Sequence, residues 1–288
     1  MKPSRSEFVE INGLRLHIRR WGDPDAPLLL MLHGWMDMSA TFQFLVDALQ
    51  DQWNIVAPDW SGFGQSQWST SGYSMLQYVV ELDALLDHLS PHDPVNVVAH
   101  SMGANVSNIY FGARPQRLKH YVNIEGYAPV PGFFEGTLGN VVGRWLGQLR
   151  KPSQGHPYRD QDHLAQRLQQ SNRNLPAERA EYLASQLGVL GADGLLRIAA
   201  DPKARFVSPI SLHTEQIMEL WRDIKAPVLC VRGGRSFVSH AFESCPQDLQ
   251  VRLAALPNGN ELVIPEGTHN LHHEVPEKLA ELIETFLR

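Results

Sequence analysis

The chain has little charge, little cysteine and no long apolar run, and each shortage removes a class of protein. Charged residues make up 19% of the 288 positions and leave a formal net charge of −6. Soluble domains usually carry roughly 25% charge, so a sizeable apolar surface or pocket is expected. The acidic balance lacks the basic footprint of a nucleic-acid binder. The two cysteines are Cys230, in an apolar strand-like run, and Cys245, in a polar loop. They read as idle thiols of an intracellular protein rather than as staples. The densest apolar stretch, Leu28 to Leu32, is too short to span a bilayer. No apolar run follows the positive charges of Met1 to Glu7, so no secretory signal is expected and the expected location is the cytoplasm. With 43% apolar residues the chain is neither disordered nor collagen-like, and its length supports a large core in one or two domains.

Short apolar runs alternate with helical patterns through the first part of the chain. A hairpin is expected at Phe8 to Arg19 around Asn12-Gly13, a strong two-residue turn signal. The spacing predicts strands at Leu28 to Leu32, Asn54 to Ala57, Val95 to Ala99 and Tyr121 to Ile124. Helices are expected at Phe42 to Leu49, Met75 to Leu89 and Asn105 to Ala113. This rhythm implies an α/β fold, a mostly parallel central sheet wound by helices. It resumes near the end, with strands at Val228 to Val231 and Glu261 to Ile264 and a closing helix from Pro276. Between them, Leu138, Val141, Val142, Trp145, Leu146 and Leu149 recur at helical steps. So do Leu164/Leu168, Tyr182/Leu183/Leu187/Leu190 and Ile217/Leu220/Trp221/Ile224, with no strand signal. The predicted organisation is a core of residues 1–126 and 226–288 interrupted by a helical cap at 127–225.

Val97-Val98-Ala99-His100-Ser101-Met102-Gly103 places a serine between a buried strand and a helix. A small-x-Ser-x-Gly turn is sharp, exposes the hydroxyl and needs small neighbours. Ala99 replaces the usual first glycine. Alone the motif is weak, since about 0.3 matches are expected by chance in a chain of this length. His33-Gly34-Trp35 strengthens it by directly following the strand Leu28 to Leu32. There the backbone N–H of Trp35, with that of Met102 at a helix start, would form an oxyanion hole. The glycine-bearing loop Asp59-Trp60-Ser61-Gly62-Phe63-Gly64-Gln65-Ser66 reads as structural support. A serine nucleophile needs a base, and neutral imidazole is suited to that near pH 7. There are 13 histidines to choose from. A metal site of His269, His272 and His273 is a rival reading, but their spacing fits no recognised ligand geometry.

These segments, with Gly267-Thr268-His269 near the end, occur in the order and spacing of the α/β-hydrolase superfamily, which the sequence resembles over about Phe8 to Val122 and Ala226 to Arg288. The resemblance implies that His269, in the loop after the last strand, is the base. In the commonest family pattern an aspartate follows Gly233 by three residues, and here that position is Ser236. The branch of serine-hydrolase-like proteins and some haloalkane dehalogenases takes its acid from the sixth strand, where this chain carries Glu125. Catalysis and capping of the loop are both open to Glu125 on these grounds, and Asp59 and Glu266 are weaker candidates.

Serine at 101 excludes the aspartyl-ester chemistry of dehalogenases and epoxide hydrolases. The expected activity is hydrolysis of carboxylic esters of hydrophobic small molecules through an acyl-enzyme. His33, Phe133, Phe134 and Trp145 are candidate pocket residues. No metal or organic cofactor, nucleic acid or membrane span is implied, and the protein is expected to be a monomer or homodimer. A lactonase or amidase would share the machinery. A carbon–carbon bond hydrolase would carry aspartate at 236, and a non-catalytic binding protein is supported only by the absence of that aspartate.

Overall fold

The apolar runs lie side by side in one eight-stranded sheet. In the computed structural model, which describes residues 1–127, 129–131, 137–150, 155–205 and 212–288, the chain opens with β1 (Arg5–Ile11) and β2 (Leu14–Trp21). It continues through β3 (Leu28–Leu32), β4 (Asn54–Pro58), β5 (Val95–His100) and β6 (Leu118–Ile124). A two-stranded hairpin, β7 (Gly188–Leu190) and β8 (Leu196–Ile198), precedes β9 (Val228–Gly233) and β10 (Gly259–Ile264). The large sheet runs in the order β1-β2-β4-β3-β5-β6-β9-β10. The β1–β2 and β2–β4 pairs are antiparallel and the rest parallel. Asn12 and Gly13 both take positive φ in the β1–β2 turn (50° and 76°), as a twist-matched two-residue hairpin requires.

Side-chain alternation sends the central strands' residues to two cores. Leu30, Leu32, Val97, Ala99, Tyr121, Val228 and Cys230 face one cluster, and Leu29, Met31, Val98, Val122, Leu229 and Val231 face the other. The helices Met75–Leu89 and Met102–Ala113 contribute to the first cluster. The helices Gln43–Ala48 and Pro276–Leu287 contribute to the second. Both cysteines are free thiols. Among the described residues no helix is long and apolar enough to cross a membrane.

The region between β6 and β9 departs from the predicted spacing at one place. The helix Ala177–Leu187 stops before Leu190, and β7 and β8 follow. Turn chemistry overrides the periodicity: the Asp193 carboxylate accepts the Leu195 amide at 3.2 Å and Gly194 sits at φ 76°. The helix Thr214–Asp223 forms where the spacing predicts one, and its Trp221 lies in the same core cluster as Leu30 and Val97. Gly112 lets it close on the helix Met102–Ala113, since a Cβ there would lie 2.6 Å from the Leu220 carbonyl oxygen. It packs with the sheet layer, whereas Leu164, Leu183 and Leu187 of the preceding helices pack around Met38 and Phe44.

The parallel strands end in register, with Leu32 opposite Ala99, His100 opposite Ile124 and Ile124 opposite Val231. Chain order reverses here, β4 lying to one side of β3 and β5 to the other. Such a crevice beyond the carboxyl ends of the strands is where open α/β sheets bind ligands.

Candidate active site

Ser101 stands at the end of β5 with φ 50° and ψ −112°, a backbone conformation unfavourable for a residue with a Cβ. Its neighbours over-determine it. The Ser101 amide donates to the Ile124 carbonyl at 2.8 Å and its carbonyl accepts from Asn105 at 2.9 Å. The helix that follows approaches β3 so closely that a Cβ on Gly103 would lie 2.5 Å from the Leu32 carbonyl oxygen. Gly34 is similarly confined, a Cβ there falling 3.2 Å from that of Ser101. The methyl of Ala99, where a glycine is usual, turns into the core.

The structure brings Ser101, His269 and Glu125 together from three loops. His269 Nε2 lies 2.9 Å from Ser101 Oγ, and His269 Nδ1 lies 3.0 Å from Glu125 Oε2. Glu125, at φ 60°, is held from two sides. Its amide donates to the Val231 carbonyl at 3.0 Å, and its Oε1 accepts the Gly233 amide at 2.6 Å. Burial pushes its carboxyl up, and the Gly233 amide, the Ser236 hydroxyl and the Arg232 charge oppose that rise by favouring the charged form. Burial pulls His269 down to about 4, against the charges of Glu274 and Asp37. The unprotonated imidazole is therefore favoured at neutral pH, as a general base requires.

Trp35 and Met102 flank the serine on the loop after β3 and at the helix start. Among the described residues neither backbone amide has an acceptor. The Trp35 indole donates to the Ala204 carbonyl at 2.8 Å while the residue stays 52% exposed. Phe237, 51% exposed, sets its ring 4.5 Å from that of His269.

Other candidates sit elsewhere. His33 is fully buried. Its Nδ1 lies 2.7 Å from the Gly34 carbonyl oxygen and its Nε2 accepts the Trp60 amide at 3.0 Å, so both nitrogens are spent on the scaffold. Asp59 pairs with His17 at 2.8 Å and accepts the amides of Ser39 and Gln65. Glu266 pairs with Lys278 on the surface at 2.9 Å. Trp145 is half-buried on the helix Leu138–Arg150, and Phe133 and Phe134 lie outside the described residues. The His269, His272 and His273 trio is not a ligand set, because both nitrogens of His269 face Ser101 and Glu125.

Two supporting residues had no sequence signal of their own. Ser236 caps the helix Phe237–Glu243, accepting the Ser239 amide at 3.0 Å. Glu274 accepts the amide and hydroxyl of Thr268, beside His269, and the Asn172 amide group at 2.8 Å. Its place in the heptapeptide from Thr268 to Glu274 was visible, but its orientation depends on the turn between them.

Residues 27–276 match the model of the alpha/beta hydrolase fold. The chain belongs to the alpha/beta-hydrolase family. It is 24% identical to a serine hydrolase-like protein of Danio rerio over 297 residues, covering 100% of this chain and 90% of that one. It is 26% identical to the 2-(acetamidomethylene)succinate hydrolase of Mesorhizobium japonicum, covering 98% and 95%. Among solved structures it resembles the thioesterase domain from the curacin biosynthetic pathway, with a TM-score of 0.85 at 26% identity over 98% of this chain and 99% of that one.

Proposed function

We propose that the protein is a serine hydrolase that cleaves carboxylic esters of hydrophobic small molecules through an acyl-enzyme. The observation that carries this reading is the continuous relay from Ser101 Oγ through His269 to Glu125, at 2.9 and 3.0 Å. Ser101 Oγ attacks the ester carbonyl carbon while His269 Nε2 takes its proton. The Trp35 and Met102 amides hold the oxyanion, and Glu125 keeps the proton on Nδ1 and stabilises the imidazolium. Collapse of the tetrahedral adduct expels the alcohol, protonated by His269. Water, deprotonated by the same imidazole, then releases the acid and regenerates the serine.

The region from about 127 to 225 acts as a cap that forms one wall of the acyl pocket, with Trp145, Phe133 and Phe134 as its candidate contacts. Thioesters belong among the trial substrates because a structural neighbour bears the name thioesterase. The free thiols fit a cytoplasmic location. The test is a panel of p-nitrophenyl esters, acyl thioesters and lactones on the wild type and Ser101→Ala, with labelling by a fluorophosphonate. Hydrolysis and labelling are expected in the wild type and neither in the variant. A folded wild type that neither turns over nor labels is a binding protein.

A further inference from the structure

Behind the triad a second constellation gathers three side chains far apart in sequence. His100 Nε2 lies 2.9 Å from the His269 carbonyl oxygen. A carbonyl only accepts, so that nitrogen carries the proton and His100 Nδ1 presents a lone pair. Among the described residues His100 Nδ1 has no hydrogen-bond partner, nor does either nitrogen of His272. The imidazole rings of His100 and His272 stand 4.5 Å apart. Asp37 completes the group. One oxygen accepts the Met38 amide at 2.9 Å, and the other lies 3.5 Å from His272 Nε2. One ligand atom from each of Asp37, His100 and His272 falls within 4.8 Å of the other two, and all three residues are buried.

We propose that Asp37, His100 and His272 bind a divalent transition-metal ion of the Zn²⁺ class. Buried polar atoms without hydrogen-bond partners are costly, and here they converge. Two imidazoles and one carboxylate form a ligand set that borderline ions favour over Mg²⁺ or Ca²⁺. Ligand atoms about 2.0–2.1 Å from a tetrahedral ion lie roughly 3.3–3.5 Å apart, and the Asp37–His272 separation of 3.5 Å already meets that spacing. The His100 side closes inward on binding. Asp37, the least buried of the three at 9% exposure, marks the side nearest solvent. Because His100 directly precedes Ser101 and holds the His269 carbonyl, the ion bears on the placement of both.

The test titrates the EDTA-treated full chain with Zn²⁺ by calorimetry and with Co²⁺ by visible absorption. One ion per chain is expected, with at least about tenfold weaker binding in Asp37→Asn and in His272→Gln. His240→Gln, a surface control, is expected to bind as the wild type does. Circular dichroism checks that each variant folds. Should both fail to fold, hyperfine-shifted imidazole protons in Co²⁺-loaded wild type decide the matter. Absence of saturable binding, affinity unchanged by both substitutions, or no shifted imidazole signals would overturn the proposal and leave a polar void filled by water.

Discussion

Glu125, one residue past β6, accepts the backbone amide of Gly233, the last residue of β9, at 2.6 Å. The carboxylate thus bridges two strand ends and reaches His269 from the strand next to the one whose following loop commonly supplies the acid. In that loop the Ser236 hydroxyl favours the charged form of the same carboxylate.

Replacing Glu125 with Gln keeps its size and removes the charge that orients Nδ1–H and stabilises the imidazolium. The expected loss in kcat is about 10²–10⁴-fold, with KM changed little because Glu125 touches no substrate. Steady-state kinetics on a chromogenic ester checks this. A loss under tenfold would return Glu125 to capping its loop.

Ser236 gives a pH prediction with a definite sign. Its hydroxyl favours the charged form of Glu125 and so opposes the rise caused by burial. Ser236→Ala removes that opposition, the Glu125 carboxyl moves further up, and more enzyme carries a protonated acid at a given pH. A protonated carboxyl no longer serves as acceptor for Nδ1–H, so the acid limb of kcat/KM shifts to higher pH. Ser236→Thr keeps the hydroxyl and is expected to restore the profile. The lost N-cap adds a stability cost of about 0.5–2 kcal/mol, readable in a urea melt. An unmoved acid limb in the alanine variant would confine Ser236 to capping.

The legible parts of this protein are those set by local rules. Ser101, Gly103 and the Asn12-Gly13 hairpin declare themselves because a sharp turn admits few residue types. The strands were readable as apolar runs because both faces of the sheet are covered. What was hidden depends on contacts across the fold. His33 adjoins the site in sequence, yet the Trp60 amide captures its free nitrogen. Asp37, His100 and His272 meet only because the end of β5 converges with the segments that follow β3 and β10. Leu190 fits helical spacing until the turn at Asp193 and Gly194 claims it for a strand.

Gly103→Ala sets two effects against each other. Alanine favours a helix over glycine by about 1 kcal/mol, but the new methyl would sit 2.5 Å from the Leu32 carbonyl oxygen and 2.7 Å from that of His33. Both are backbone atoms and yield only if the helix moves off β3. Overpacking of this kind costs about 1–3 kcal/mol, so net destabilisation is expected, with lost activity as Ser101 shifts with the helix start. Denaturant melts and ester kinetics measure the two effects. A stabilised, fully active variant would show that the helix has room to slide.

Phe237 separates substrate binding from positioning. Its ring lies 4.5 Å from that of His269 at a tilt of 48°, and half of the residue is open to solvent. An exposed side chain contributes little to the core, so Phe237→Ala is expected to change stability by no more than about 0.5 kcal/mol. On the proposed reading Phe237 walls the acyl site and meets longer acyl chains more than short ones. KM is therefore expected to rise with acyl length in the variant, while acetyl esters change least and kcat falls less than tenfold. A series of p-nitrophenyl esters of increasing chain length reads this directly. An equal loss of kcat for every ester, with KM unmoved, would instead make the ring a support for the His269 imidazole, and the apolar preference would then have to come from elsewhere around the site.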